Sequence, residues 1–157
     1  MGPLISHAQR ERALGYVTGA SDAGADVVCG GHQIARPGFY MEPTLLARVT
    51  PEMAVMREEI FGPVVAVHPF GDESEAVALA NDTEYGLSAS VWTQDAGKAS
   101  RVAHALQSGV VSINSSNSVH VTAPFGGVKA SGLGRELGMA GLDAYTETKS
   151  IYQAIDH

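Results

Sequence analysis

The segment that most constrains the fold is residues 123–138, where glycine occupies five of the sixteen positions and a proline stands second. Glycine reaches backbone conformations that other residues avoid and lets other groups approach closely, so this composition predicts a loop. Pro124 indicates a turn, and Gly126 and Gly127 allow the chain to reverse after it. Phe125 projects a large apolar side chain from that turn. The segment therefore predicts a loop that shapes a pocket or a core; an ordinary glycine-rich surface loop is the alternative.

The rest of the chain alternates helical and strand patterns with short links. Ser6 followed by Gln9 is a capping box, which predicts a helix over residues 7–21. Further helices are expected from Asp72 to Asn81 and from Asp95 to Gly109, and strands over residues 26–29, 40–49, 63–67, 87–92 and 110–113. The last three strands alternate with the two later helices. This order favours parallel pairing with right-handed crossovers, and so an α/β fold.

Composition argues against two classes of partner. Ten Lys and Arg stand against seventeen Asp and Glu, and the net charge of −7 makes a nucleic acid an unexpected ligand. No run approaches the roughly 20 apolar residues of a membrane span, and the first residues lack a secretory pattern. The 157 residues are 45% apolar, which suffices for a domain with a hydrophobic core. A soluble domain is therefore expected.

The single cysteine, Cys29, predicts a reducing and therefore cytoplasmic location, because it leaves no internal disulfide to form. It lies in an apolar strand pattern without a neighbouring Lys, Arg or His that would favour the thiolate. This indicates a small buried side chain rather than a nucleophile. His104 has no partner at metal-ligand spacing, so no metal site is expected.

Two long motifs carry a family resemblance. Residues 124–136 (PFGGVKASGLGRE) and 145–149 (YTETK) resemble the C-terminal signature of the aldehyde dehydrogenase superfamily. Residues 58–64 (EEIFGPV) resemble the cofactor-side motif of the same family and precede the signature in the expected order. The similarity extends to residues 2–4 and 38–44, so it covers essentially the whole chain. It implies the C-terminal portion of a considerably longer enzyme.

The resemblance implies a fold and an assembly. The fold is α/β, the parallel-sheet, three-layer catalytic-domain portion of the aldehyde dehydrogenase fold, over residues 1–142, with an oligomerisation strand or tail over 143–157. Residues Tyr145–Tyr152 alternate and are rich in β-branched and aromatic side chains, as strands are. We expect this strand to extend a sheet of a neighbouring subunit in a homo-oligomer. An ion pair between Arg135 and Glu147 is expected to anchor it.

The resemblance also implies a clamp for NAD or NADP at Glu59 and Phe61. In the family, the glutamate and phenylalanine of this motif hold the nicotinamide ribose. A carboxylate accepts two hydrogen bonds from a ribose diol while an aromatic ring packs on the sugar or the nicotinamide. Adjacent glutamates such as Glu58 and Glu59 are otherwise ordinary solvated surface. Gln9 has two open alternatives, the capping box and a family contact with the cofactor ribose.

A substrate pocket is implied on the segment that follows the last predicted strand. Loops at the ends of parallel strands are where such sheets place ligands. In the family, this segment lines the aldehyde tunnel, which implies pocket roles for Asn117, Val119 and His120, with Phe125 from the glycine-rich loop. The segment is small and mostly polar, which argues against bulky aromatic aldehydes. His120 either tunes a polar substrate or is an exposed loop histidine.

The family's oxidation of an aldehyde to a carboxylic acid needs a cysteine nucleophile, a glutamate base and an asparagine for the oxyanion. No segment of this chain resembles the motifs around them, so no catalytic residue is assigned and the chain alone is expected to be inactive. It is interpreted as the C-terminal portion of an NAD(P)-dependent aldehyde dehydrogenase. The alternative is a stand-alone assembly module that reuses the scaffold and pairs with full-length subunits. The intact Glu59 and Phe61 favour the first hypothesis.

Overall fold

The computed structural model describes residues 1–155, and the chain divides into two units, Met1–Glu75 and Ala76–His157. The last two residues of the predicted 143–157 tail lie outside the described residues. The elements are α1 (His7–Asp22), β1 (Asp26–Cys29), β2 (Thr44–Ala47), α2 (Ala54–Arg57), β3 (Val64–Ala66), α3 (Glu73–Asn81), β4 (Ser88–Val91), α4 (Ala96–Ala105) and β5 (Val110–Ile113). Two short 3-10 helices follow, at Lys129–Ser131 and Met139–Tyr145.

Helix α1 begins where the sequence predicts. The Ser6 hydroxyl accepts a hydrogen bond from the Gln9 backbone N–H at 3.2 Å, which satisfies one of the free donors of the first turn. Ala13, Val17 and Ala20 are buried, and their spacing places them on one face of the helix. That face packs into the core of the first unit.

The first unit is built on a mixed sheet in the order β1-β2-β3. Strand β1 is antiparallel to β2, and β2 is parallel to β3, with Leu45 opposite Val65. Leu46, in the central strand, is fully buried. The core around it comprises Ala13, Val17, Ala20, Ala25, Met41, Val49, Val55 and Ile60. The core of this unit thus extends into the cofactor-side motif at Ile60.

The second unit contains a parallel pair, β4 and β5, joined by α4 and aligned with Ser88 opposite Val110. This confirms two of the three predicted parallel neighbours. The prediction that the strand over 63–67 is the third is wrong, because β3 pairs with β2 and belongs to the other sheet. Alternation along the chain shows which segments are strands, but it does not decide which sheet edge each strand joins.

Two predictions of burial are also wrong. Cys29 is exposed, because β1 lies at the edge of its sheet and all four of its residues are solvent-accessible. The apolar run of β3 predicts coverage on both faces, yet Val65 is 58% exposed and Val67 is 49% exposed. An apolar run indicates a strand that favours a covering layer. The described unit supplies that layer on one face only.

The glycine-rich segment reverses the chain, as its composition predicts. Phe125 and Glu136 exchange two backbone hydrogen bonds, at 2.8 and 2.7 Å, in an isolated antiparallel bridge. The Gly86 carbonyl accepts from the N–H groups of Gly109 and Val128, both at 3.0 Å. A Cβ at Gly109 would overlap the Gly126 carbonyl oxygen, so only glycine fits there. The loop is therefore fixed by backbone contacts.

The tail bears on two predictions. Residues 146–155 contain no strand within the described chain, where no sheet edge lies beside them, so pairing with a neighbouring subunit stays a prediction. The predicted ion pair between Arg135 and Glu147 is wrong for the described residues. The Arg135 guanidinium donates instead to the carbonyls of Gly127 and Gly134, at 2.8 and 2.6 Å. Arg135 thus binds backbone carbonyls of its own loop, and Glu147 is exposed.

Candidate cofactor site

The cofactor-side motif forms a turn, residues 58–62, that lies against α1. Gln9 donates from its side-chain nitrogen to the carbonyls of Ile60 and Phe61, at 3.2 and 2.8 Å. The backbone N–H of Gln9 is the group that Ser6 caps, so its side chain is not needed for capping. Gln9 therefore has a structural role that neither sequence alternative anticipates, and its contact with a ribose stays a prediction.

The two adjacent glutamates have different surroundings. The Tyr16 hydroxyl donates to the Glu58 carboxylate at 2.6 Å, and Arg12 donates to the Tyr16 oxygen at 3.1 Å. Arg12 also donates to the Glu59 main-chain carbonyl at 3.4 Å. The Glu59 carboxylate is exposed and has no hydrogen-bond partner among the described residues. Glu58 is thus bound to the helix, whereas Glu59 is open to a ligand.

Phe61 has an unusual backbone conformation for a bulky residue. Its φ is +57°, in the left-handed region that bulky residues avoid. The residue is 74% exposed to solvent. Strained conformations persist only where the surroundings fix them, and they cluster at ligand sites. The surroundings here are the Gln9 hydrogen bond and Gly62, where a Cβ would lie 2.9 Å from the Ala13 Cβ. The strain makes this turn a site candidate.

The arrangement suits one kind of ligand. An acceptor-only carboxylate at Glu59 and an aromatic face at Phe61 are separated by Ile60, which is 9% exposed and anchors the turn in the core. A carboxylate can accept both hydroxyls of a vicinal diol, and an exposed ring can pack on a flat heterocycle beside it. The turn therefore presents an unpartnered acceptor and an exposed aromatic ring two residues apart.

The predicted substrate-pocket residues lie in the second unit, after β5. The Asn114 side chain accepts from the Thr93 N–H and donates to the Thr93 carbonyl, both at 2.9 Å, which fixes the start of the loop. Asn117 accepts from the Val119 N–H at 3.3 Å. The exposed set is Asn117, Val119 and His120, whereas Phe125 is half-buried. The first three share one loop, and nothing in the described contacts assigns them a ligand.

Other candidate residues show no site. Cys29 has no hydrogen-bond partner within the described residues, so no base is positioned to activate it. His104 contacts the carbonyl of Ser100, one helical turn earlier, through Nδ1 at 2.8 Å. No group of His, Cys, Asp or Glu in residues 1–155 could hold a metal ion. None of the helices found there is long and apolar enough to cross a membrane.

The contacts of Tyr16 and Arg12 with the turn at residues 58–62 were not predicted from the sequence. One signal was available, because Gln9, Ala13 and Tyr16 recur at i, i+4 and i+7 and so share a face of α1. Of these three residues, only Ala13 is of a type that the apolar pattern of a helix predicts to be buried. The two polar members meet a motif about fifty residues later in the chain, which helical periodicity does not reveal.

Comparison with known proteins decides the family. A model of the aldehyde dehydrogenase family matches residues 1–151. The chain belongs to the aldehyde dehydrogenase family. A betaine aldehyde dehydrogenase of Cereibacter sphaeroides is 51% identical over 152 residues, and an aldehyde dehydrogenase of Emericella nidulans is 44% identical over 151. The sequence resemblance is thereby confirmed.

Solved aldehyde dehydrogenases share the fold. The NAD+ complex of an aldehyde dehydrogenase from Bacillus cereus matches with a TM-score of 0.96 at 46% identity, over 99% of this chain and 32% of that one. The NAD+ complex of a betaine aldehyde dehydrogenase from Staphylococcus aureus matches with a TM-score of 0.89 at 44% identity, over 92% and 30%. The predicted α/β class and the family's NAD cofactor are confirmed. The chain spans about a third of the length of these relatives, since it covers 32% of the first.

Proposed function

We propose that the chain is the C-terminal portion of an NAD(P)-dependent aldehyde dehydrogenase, the part that holds the nicotinamide ribose. The observation that carries the proposal is the Glu59 carboxylate, open to solvent beside an exposed Phe61 ring on a fixed turn. The order of the motifs supports the C-terminal assignment, because residues 58–64 precede the signature at 124–136. The parent reaction is oxidation of an aldehyde to a carboxylic acid.

The residues present fit the nicotinamide end of the cofactor. Bound NAD(P)+ supplies a hydride acceptor. Glu59 would accept hydrogen bonds from the two ribose hydroxyls. Phe61 would orient the nicotinamide ring by packing against it. Gln9 keeps one side-chain oxygen for a third contact while its nitrogen binds the turn. A grip on one end of a dinucleotide leaves most of its contact area unused, so weak binding is expected from this chain.

The loop after β5 supports a small, polar aldehyde as the substrate of the parent enzyme. Residues 115–121 are short and mostly polar, with Asn117, Val119 and His120 exposed and Phe125 half-buried beyond them. Several relatives are named betaine aldehyde dehydrogenases. A pocket without large aromatic side chains in this segment favours small, polar aldehydes over bulky aromatic ones.

The chain alone is proposed to be inactive. No nucleophile, base or oxyanion asparagine is assigned in it, and loss of the nucleophile forfeits several orders of magnitude in rate. The test is NADH production by the purified chain with excess NAD+ and short aliphatic and polar aldehydes. We expect no turnover above a buffer blank. Turnover that Glu59→Ala abolishes would contradict the proposal, and turnover insensitive to that substitution would indicate a contaminant.

The clamp itself is tested by binding. NAD+ is titrated into the chain while the amide signals of residues 58–64 are followed by NMR. We expect saturable shifts in these residues, and Glu59→Ala should remove them. Glu84→Ala is the matched control, since Glu84 is exposed in the second unit and its substitution should change nothing. Equal binding by the Glu59→Ala variant would overturn the clamp assignment.

An assembly role is the second candidate, favoured by the tail. Tyr145, Ile151, Tyr152 and Ile155 are between 76% and 94% exposed and pair with no strand in the described chain. We propose that residues 143–157 act as an oligomerisation strand, separate from a catalytic-domain portion at 1–142, and that the location is cytoplasmic. Sedimentation with and without a full-length aldehyde dehydrogenase tests this. A strictly monomeric chain that binds no full-length partner would exclude both homo-oligomer and assembly module.

A further inference from the structure

We infer that one face of α1, carried by Gln9, Ala13 and Tyr16, is a template that positions the turn at residues 58–62 for the cofactor. The inference rests on the proposed function, because the turn is taken to present Glu59 and Phe61 to the nicotinamide ribose. It assigns Gln9 and Tyr16 as positioning residues. They act through the turn, whether or not either one touches the cofactor.

The three residues meet the turn along its whole length. Tyr16 binds the Glu58 side chain at the start of the turn, at 2.6 Å. Gln9 binds the Ile60 and Phe61 carbonyls near its end, at 3.2 and 2.8 Å. Between them on the helix, Ala13 is fully buried and approaches Gly62 so closely that a Cβ would lie 2.9 Å away. A spacing of i, i+4 and i+7 aligns these contacts on one face.

The contacts select which glutamate carboxylate is left without a hydrogen-bond partner, because both glutamates are exposed and only Glu58 is bound by Tyr16. Two adjacent carboxylates in a turn cannot be distinguished by composition, and either could serve a ribose. Tyr16 removes Glu58 from that competition by binding its carboxylate, while Arg12 binds the main-chain carbonyl of Glu59 and leaves its carboxylate open. The Glu58 side chain is thereby held against α1.

The contacts also maintain the conformation of Phe61. A bulky residue at φ +57° is strained and reverts unless its surroundings fix it. Gln9 donates to the carbonyl of this same residue, so the bond restrains the peptide that follows the strained angle. The ring is otherwise 74% exposed and gains little from packing. Release of the turn should therefore disperse the ring over several orientations.

The test uses the whole 157-residue chain with isosteric variants. Gln9→Met keeps the length of the side chain without its donor, and Tyr16→Phe removes only the hydroxyl. Backbone order parameters at Glu59 and Phe61 should fall from about 0.85 toward 0.6 or below in these variants. NAD+ affinity, followed by the amide shifts of residues 58–64, should weaken about fivefold for Tyr16→Phe, the effect of one net hydrogen bond, and by more for Gln9→Met, which removes two.

A matched pair of variants separates positioning from general destabilisation. Glu58→Gln retains an acceptor for the Tyr16 hydroxyl and should behave as the wild type, whereas Glu58→Ala should reproduce Tyr16→Phe. Thermal midpoints are recorded for all variants, and a positioning role predicts the order-parameter change without global unfolding. Glu59→Ala should abolish NAD+ binding while leaving the order of the turn unchanged.

The outcomes distinguish this inference from the proposed function. Unchanged order parameters in both Gln9→Met and Tyr16→Phe would overturn the template, whatever NAD+ does. A loosened turn with unchanged NAD+ affinity, in a chain where Glu59→Ala does lose binding, would also overturn it while the clamp stands. A wild type that does not respond to NAD+ would overturn the clamp, and the order parameters would still decide whether α1 positions the turn.

Discussion

Each of the two units is stabilised internally by a different kind of interaction. Of the ten buried apolar residues in the described chain, nine lie in Met1–Glu75, and Ala99 is the one in the second unit. The second unit relies instead on hydrogen bonds around Asn81, Gly86 and Lys129. Burial is set by side-chain type and tolerates small shifts, whereas hydrogen bonds between loops depend on backbone position. The candidate clamp lies on the unit with the core.

Removal of the centre of the first unit's core is expected to have the largest effect. Leu46→Ala should reduce the free energy of unfolding of the first unit by about 3 kcal/mol, because a fully buried leucine leaves a cavity. Amide signals of β2 in a urea titration measure it. Leu133→Ala is the matched control, since Leu133 is fully exposed and its loss should be neutral.

The single tryptophan reports on the other unit. Trp92 lies in the second unit, so any change in its fluorescence on unfolding comes from that unit. If Leu46→Ala shifted the Trp92 transition as much as the β2 signals, the two units would unfold as one. The distinction between a core-held and a hydrogen-bonded unit would then have no thermodynamic meaning.

The second unit should be most sensitive at a backbone contact. Gly109→Ala places a Cβ against the Gly126 carbonyl and should destabilise the unit by about 2 kcal/mol, since backbone must move to relieve the overlap. Trp92 fluorescence in urea measures it. The same substitution at Gly19, where nothing lies within 4 Å of the new Cβ, should stabilise α1 by about 0.5 to 1 kcal/mol. Equal effects at both positions would contradict the close-contact argument.

Side-chain hydrogen bonds are expected to have the next largest effect. Asn81 donates to the Ala105 carbonyl at 2.9 Å and accepts from the Gln107 N–H at 2.8 Å, so it joins the ends of α3 and α4. Asn81→Ala should lower the stability of the second unit by about 1 to 2 kcal/mol, because two backbone groups lose their partner. Asn81→Asp keeps the acceptor and should be intermediate. A neutral alanine variant would show that water replaces both contacts.

Local sequence signals predicted the positions of helices and strands better than their exposure. The start of α1 follows from Ser6 and Gln9, because a capping box is a local signal. The apolar pattern located β3 and Cys29 but misjudged their exposure, since a run of apolar residues does not reveal whether a second layer is present. Periodicity therefore located helices and strands in both units but did not decide how exposed each of them is.

Long-range polar contacts were beyond the sequence. Arg135 was expected to pair with Glu147, yet it binds carbonyls of its own loop, because charge alone does not specify which acceptor is within reach. The side chain of Gln9 likewise contacts a turn about fifty residues away, which neither of its local alternatives predicted. The motif drew attention to Glu59 and Phe61 through family resemblance, and the structure adds that Tyr16 binds the Glu58 carboxylate.

The smallest expected effect concerns the acid stability of α4. The Asp95 carboxylate accepts from the Lys98 N–H at 2.9 Å, and this hydrogen bond lowers the pKa of Asp95 below its ordinary value. A carboxyl whose pKa is lower in the folded state stabilises that state above its unfolded pKa of about 3.9, and the stabilisation is lost as the pH falls through the folded value. The urea midpoint followed by Trp92 should therefore decline as the pH falls through the unfolded pKa and then through the lower folded pKa. Asp95→Asn keeps a cap oxygen without a titrating group, so its decline should be shallower, and an identical pH profile would show that the cap does not contribute.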